Sequence, residues 1–405
     1  FFKFKCNIFS ILPARWHPVL FRSPPSTHSA HGSQADSRVF FVLGLPASVC
    51  AQGFIEHIEP PVVERGKTTR VTFVGREMAK AFDVWNSLSS ASLQAKPVES
   101  ASATAVFDIT VAKNATVGIY GVRVATPDGL SNVHLLLVDD LPVRPGTKDD
   151  KPLKLEKPAS VWGTLREGAI DRYTFDVTAG ETVSFEVVAN RLGKDADPLV
   201  VVHDANGRFV FEHDNDAGLY FDSRFKHTFA SAGMYTLNVR DARFKGNEHR
   251  HYVLRVGRFP TARTATPVAV IADRLPGHFF TEQKRPGDDA SSWVPVATAE
   301  GPITVANDAG EPTATVIPGT LCGLLRKPGV KHLFTFKLEK GQKLFVRGDA
   351  ISFNSPVDLE FSLLDKAGKE VRKGSETKGS EEVTLEYNAG AAGEFQLAVR
   401  DGLRE

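Results

Sequence analysis

Asp197-Pro198-Leu199, followed by Asp204-Ala205-Asn206-Gly207, returns later in the chain as Asp358-Leu359-Glu360 followed by Asp365-Lys366-Ala367-Gly368. The internal spacing of the two blocks is the same. At the same offset, Tyr173-Thr174-Phe175 and Gly180 return as Phe334-Thr335-Phe336 and Gly341. Ala232-Gly233-Met234-Tyr235-Thr236-Leu237-Asn238-Val239-Arg240-Asp241 returns as Ala392-Gly393-Glu394-Phe395-Gln396-Leu397-Ala398-Val399-Arg400-Asp401. Both blocks open with Gly-Thr-Leu, at 163–165 and 319–321. A chain that repeats a module reads as an adhesive or binding array before it reads as a single-site enzyme.

The local grammar outside these blocks is also β. Arg70-Val71-Thr72-Phe73-Val74, Thr104–Val111 and Ile119-Tyr120-Gly121-Val122-Arg123-Val124 alternate apolar and polar residues, and Gly, Pro, Asn and Asp punctuate them. A period of two puts one face in a core and the other in water. The expected fold class is all-β, as tandem β-sandwiches. An Ig-like sandwich is expected over 56–139, a linker over 140–159, a first repeat sandwich over 160–258, a reduced Ig-like element or linker over 259–317, and a second repeat sandwich from 318 to the end.

The chain has 405 residues, 42% of them hydrophobic, which suffices for several separate cores. Its 49 basic and 48 acidic residues leave a net charge of +1, so no field favours nucleic acid or a membrane surface.

The chain begins with Phe1 and holds only Met78 and Met234, which reads as a fragment or as mis-translated upstream sequence. The parent is expected to continue beyond Glu405. Residues 1–38 read as a leader without a clear period. The run from Val39 to Gln52, with Arg38 before it and small residues at its end, reads as a secretory signal cleaved after Ala51. It is too short for a membrane-spanning helix. Cys322 is read as a small core residue, and no disulfide framework is expected.

Three pieces carry a family resemblance. They are Gly163-Thr164-Leu165 with Asp171 to Glu181, Arg191-Leu192-Gly193 with Asp197-Pro198-Leu199 and Asp204-Ala205-Asn206-Gly207, and Ala232-Gly233-Met234-Tyr235 leading to Val239-Arg240-Asp241. In that order they resemble the bacterial pre-peptidase C-terminal domain, related to the collagen-binding domain of clostridial collagenases. Residues 56–139, through Gly118, Tyr120, Pro127, Gly129 and Ser131-Asn132, resemble the Ig-like fold of transcription-factor and plexin-type modules. The combination is similar to exported planctomycete-type proteins. The resemblance implies jelly-roll-like sandwiches and a non-catalytic accessory role.

The sharpest cluster for chemistry is acidic. Asp214, Asn215, Asp216 and Asp222 offer oxygens on one loop, Gly218 permits a turn, and Asp197 and Asp204 are expected nearby. Ca2+ takes six to eight such oxygens, so these six residues are a candidate calcium site, although the spacing is not that of an EF-hand. The bland alternative is a solvated acidic loop. In the second block the same loop carries Lys373 and Lys378.

His249-Arg250-His251 does not have the i, i+4 helical spacing of zinc peptidases, and is read as surface or strand-edge histidines. No Gly-x-Ser-x-Gly occurs and no glycine loop precedes a helix, so no catalytic residue is assigned. Trp85, Trp162, Tyr220 and Phe221 are candidates for an aromatic binding platform, against ordinary packing. The expected role is an exported binding or spacer protein that engages extracellular protein or polysaccharide. The alternative is the accessory region of a secreted peptidase or other hydrolase.

Overall fold

The computed structural model describes residues 2–9, 52–88, 92–147, 151–261, 268–269, 278–299, 301–307, 310–327, 329–350, 353, 355–376 and 383–402. The expected signal segment from Val39 to Ala51 lies outside them. The fold is all-β, and no α-helix occurs among the described residues. Six of the seven sheets among the described residues fall into three units, two sheets around an apolar cluster in each, and the seventh joins Val268–Ala269, Ser292–Ala299 and His278–Gln283.

In the first unit one sheet runs Phe54–Glu59, Thr68–Arg76, Thr104–Val111, Leu93–Ser100. The other runs Val62–Glu64, His134–Asp139, Gly118–Thr126, Asp83–Asn86. The alternation seen in the sequence decides the faces: Val71 and Phe73 are buried, and Arg70 pairs with Asp108 on the exposed side. Phe73 meets Phe107 edge to face, with centroids 5.8 Å apart.

In the second unit Asp171–Val177, Gly233–Asp241, Pro198–His203 and Phe209–His213 face Ala159–Thr164, His251–Gly257, Thr182–Val188 and Arg224–Thr228. Phe175, Phe185, Phe229 and Tyr235 fill the space between the sheets. The expected linker is partly strand: Val143–Pro145 and Leu153–Lys154 each add a parallel edge strand, one to each sheet. Runs of two or three residues with proline carry no period, so sequence pattern misses them.

The third unit repeats this plan. Thr313–Ala314, His332–Leu338, Gly393–Asp401, Leu359–Asp365 and Glu370–Lys373 stand in the same order as their counterparts in the second unit. Phe175 and Phe336 are both buried, as are Leu237 and Leu397. Cys322 is buried as expected. The unit starts earlier than 318, because Ile303–Val305 and Thr313–Ala314 are its parallel edge strands. Within 259–317, His278–Gln283 and Ser292–Ala299 form an antiparallel hairpin.

One strand of the third unit comes from the other end of the chain. Phe2–Phe9 pairs antiparallel with both Gly319–Gly323 and Lys343–Asp349. It fills the slot that His251–Gly257 fills in the second unit. Residues 2–9, read in the sequence as part of a leader without a clear period, are a strand here. The strand and a signal cleaved after Ala51 exclude each other in one mature chain, since cleavage removes Phe2–Phe9. A chain starting at Gln52 is therefore expected to lose amide-exchange protection at 319–323 and 343–349, with the first two units unchanged. Equal protection in the two chains would show that the strand does not fill the slot.

Candidate functional site

The six candidate calcium ligands are dispersed into separate structural roles. Asp222 is fully buried and accepts hydrogen bonds from the amides of Ala189, Asn190 and Arg191 and from Arg191 Nε. Burial pushes its carboxyl up, against Arg191 and the amides, which pull it down. Asp216 is buried against Arg224 at 3.3 Å. Asp204 accepts the amides of Asn206 and Arg208 within its hairpin turn. Asp197 pairs with Arg243 at 3.3 Å. The Asn215 side-chain amide, in its hydrogen-bonding orientation, donates to Asp214 Oδ1 and to the Phe221 carbonyl. Burial raises the Asp214 carboxyl, and the nearby Asp197 charge adds to the rise. The structure thus brings Asp197 and Asp214 into each other's field, while Asp216 and Asp222 are engaged by arginines.

Those arginines pin the acidic loop. The Asp216 amide donates to the Asp222 carbonyl, and Leu219 is buried between them. The loop then holds Tyr220 and Phe221 outward, at 50% and 44% exposure. Trp85 is also exposed, whereas Trp162 packs on the junction between the first two units.

That junction holds a buried ion network. Arg255 of the second unit grips Asp139 of the first through two bonds of 2.9 Å, and donates to Glu186 at 2.8 Å. Its guanidinium lies 4.6 Å from the Trp293 ring centroid. Arg191 joins Glu186 to Asp222 at 2.8 Å on each side. Arg65 ties Asp140 at 3.0 Å to Glu282 at 2.8 Å. Each charge has a partner, as burial demands.

Beside the network sit four histidines, and a bulge explains how two elements meet there. Ile55 pairs with Gly75 and His57 with Val74, so the ladder shifts at Glu56. The extra residue lets Ile55 and Ile58 both face the core. His57 and Glu59, two apart, then share the opposite face, toward the second unit. Gly75 is required here, because a Cβ would collide with the Phe54 carbonyl oxygen.

His251 opens its strand opposite Thr164. It is 1% exposed, which corrects the surface reading; only its neighbour His249 is accessible. Its Nδ1 lies 3.0 Å from Thr164 Oγ1, and its Nε2 has no hydrogen-bond partner. His57 Nδ1 lies 2.9 Å from His249 Nδ1. Glu59 Oε1 lies 3.5 Å from His57 Nε2 and 3.6 Å from His251 Nε2. Burial lowers the His57 imidazole, and lowers that of His251 to about 3. His134 is lowered to about 3 by burial and by Lys194, whose Nζ is 2.9 Å from its Nε2. Burial takes Lys194 down to about 8.

No protein-family profile matches the chain, and no characterised protein matches it in sequence. Among solved structures it is similar over 27% of its length to the pre-peptidase C-terminal domain of a collagenase from Bacillus anthracis, covering 98% of that domain at 18% identity and a TM-score of 0.22. The secreted serine protease VesC from Vibrio cholerae aligns with 48% of each chain, at 11% identity and a TM-score of 0.20. The extracellular region of plexin A4 aligns with 89% of this chain and 23% of its own, at 12% identity and a TM-score of 0.19. No helix among the described residues is long and apolar enough to cross a membrane.

Proposed function

We propose that the chain is an exported, non-catalytic binding or spacer protein, built of an Ig-like sandwich and two jelly-roll-like sandwiches of the pre-peptidase C-terminal type. The observation that carries this is the pinned loop that presents Tyr220 and Phe221 to solvent. Aromatic side chains on a preorganised loop supply contact area at low entropic cost. The partner proposed is an extracellular protein or polysaccharide, and the ion network supplies the stiffness of a spacer. The second proposal, the accessory region of a secreted hydrolase, is supported by the order of the motifs in 160–241.

Calcium enters through Asp197 and Asp214, whose like charges a divalent cation would relieve. The test is retention on matrix proteins and on insoluble polysaccharides, with and without millimolar Ca2+. The double variant Tyr220→Ala, Phe221→Ala is expected to lose about tenfold or more in affinity, since such aromatics carry about 2 kcal/mol or more at binding hot spots. Asp214→Ala is expected to abolish any calcium response. Unchanged retention in the double variant would remove the loop from the proposal. Turnover of casein, gelatin or esters, abolished by a single substitution in this chain, would overturn the non-catalytic part.

A further inference from the structure

We propose that His57, Glu59 and His251 form a site for a divalent transition-metal ion of the zinc class, which ties the first unit to the second. Among the described residues this is the one group of three or more His, Cys, Asp or Glu that could hold a metal, with all ligand atoms within 4.8 Å of one another.

Four observations converge on it. The first is an orphan: His251 Nε2 is buried, has no hydrogen-bond partner, and lies 3.6 Å from Glu59 Oε1. A buried ring nitrogen without a partner carries a desolvation cost that a metal bond would remove. The second is geometry. Zn–N and Zn–O bonds of about 2.0–2.2 Å place neighbouring ligands of a tetrahedral ion roughly 3.3–3.6 Å apart. The two His–Glu separations, 3.5 and 3.6 Å, fall there. The third is orientation. The Nδ1 of His57 is engaged by His249, and that of His251 by Thr164, so each ring turns its Nε2 to Glu59. Such outer partners fix ring orientation in metal sites.

The fourth is donor chemistry. Two imidazoles and one carboxylate suit zinc rather than calcium, which prefers an all-oxygen shell. The Glu59 side chain is 43% exposed, so ions have a way in and water has a fourth position. Lys194 opposes a cation here, but it is held by His134 rather than by the three ligands. His57 and Glu59 belong to the first unit and His251 to the second, so one ion would bridge the two beside the Arg255–Asp139 clamp.

The test is titration of the metal-stripped full chain with Zn2+, and with Co2+ for its tetrahedral d–d spectrum. One equivalent is expected to bind, and excess Zn2+ is expected to raise the melting temperature. Glu59→Gln and His57→Gln are each expected to weaken binding by about tenfold or more and to remove the thermal shift. Glu59 is half exposed and outside the core, so its variant keeps the fold, which circular dichroism checks. His203→Gln, in a different part of the second unit, should bind as the parent does. Absence of binding would overturn the site. So would equal binding by the parent, Glu59→Gln and His57→Gln.

Discussion

Arg255→Ala is expected to cost about 3–5 kcal/mol and to uncouple the first unit from the second. The magnitude is that of removing one partner from a buried ion pair, which leaves the other charge desolvated and alone. Asp139, 2.9 Å from the guanidinium, loses its arginine, whereas Glu186, 2.8 Å from the guanidinium, keeps Arg191. Arg255→Met restores packing against Trp293 but not the charge, so it should remain close to the alanine variant. Adding Asp139→Asn to Arg255→Met should recover much of the loss, because the stranded charge is then gone. Denaturant unfolding followed by tryptophan fluorescence measures all three. A loss under about 1 kcal/mol for Arg255→Ala would mean that water reaches the pair.

Acid should weaken the same network. Burial alone would raise the Glu186 carboxyl, but Arg191, Arg255 and Arg224 together bring it down to about 2 from 4.5. A carboxyl depressed on folding contributes stability above its unfolded value, and that contribution is lost as pH falls through the folded one. The window is therefore about pH 4.5 down to 2. Asp222, raised on folding, acts with the opposite sign. The stability difference between the parent and Glu186→Gln isolates the Glu186 contribution, and it should shrink across that window.

What could be read from the sequence follows from how local each signal is. Strand alternation is local, and the buried faces of Thr68–Arg76 and Gly233–Asp241 follow it. The repeat needs only the chain compared with itself. Phe2, Phe4, Cys6 and Ile8 alternate with Lys3, Lys5 and Asn7 over one short run, but residues 1–38 as a whole show no clear period, and the partners of the run lie at 319–323 and 343–349. Nothing near it in sequence points to them. The histidine site is hidden for the same reason, since His57 and His251 meet only when two units dock. One trace remains: His57-x-Glu59 has the period of a strand, which sets the pair on one face. The acidic loop is legible as a cluster of residue types, but its pairing is not. Asp222 is engaged by Arg191, 31 residues away in the chain, and Asp216 by Arg224, just beyond the loop, and neither pairing is marked by residue type alone.

Phe175→Ala and Phe336→Ala are each expected to cost about 3–5 kcal/mol, in different units. Phe175 lies in a four-ring cluster, with centroids 5.6 Å from Phe185 and 5.7 Å from Phe229 in edge contacts and 6.2 Å from Tyr235. Each such contact adds about 0.5–1.5 kcal/mol beyond burial, so Phe175 should fall at the upper end. Phe336 stands at the matching register, opposite Phe395 as Phe175 stands opposite Tyr235. Its core is more aliphatic, built with Leu338, Leu344, Val346, Leu363 and Leu385, so its loss should fall at the lower end. The chain itself separates the two outcomes. Of the four tryptophans, Trp85, Trp162 and Trp293 precede Ile303, after which the chain contains none, and Trp16, which follows the strand Phe2–Phe9, is removed by Trp16→Phe in every variant compared. Tryptophan fluorescence should therefore register Phe175→Ala and miss Phe336→Ala, whereas far-ultraviolet circular dichroism should register both. A Phe336→Ala variant that moves the fluorescence transition as far as Phe175→Ala does would mean that the units unfold together. The chain would then be one cooperative stack of sheets rather than modules joined by a clamp.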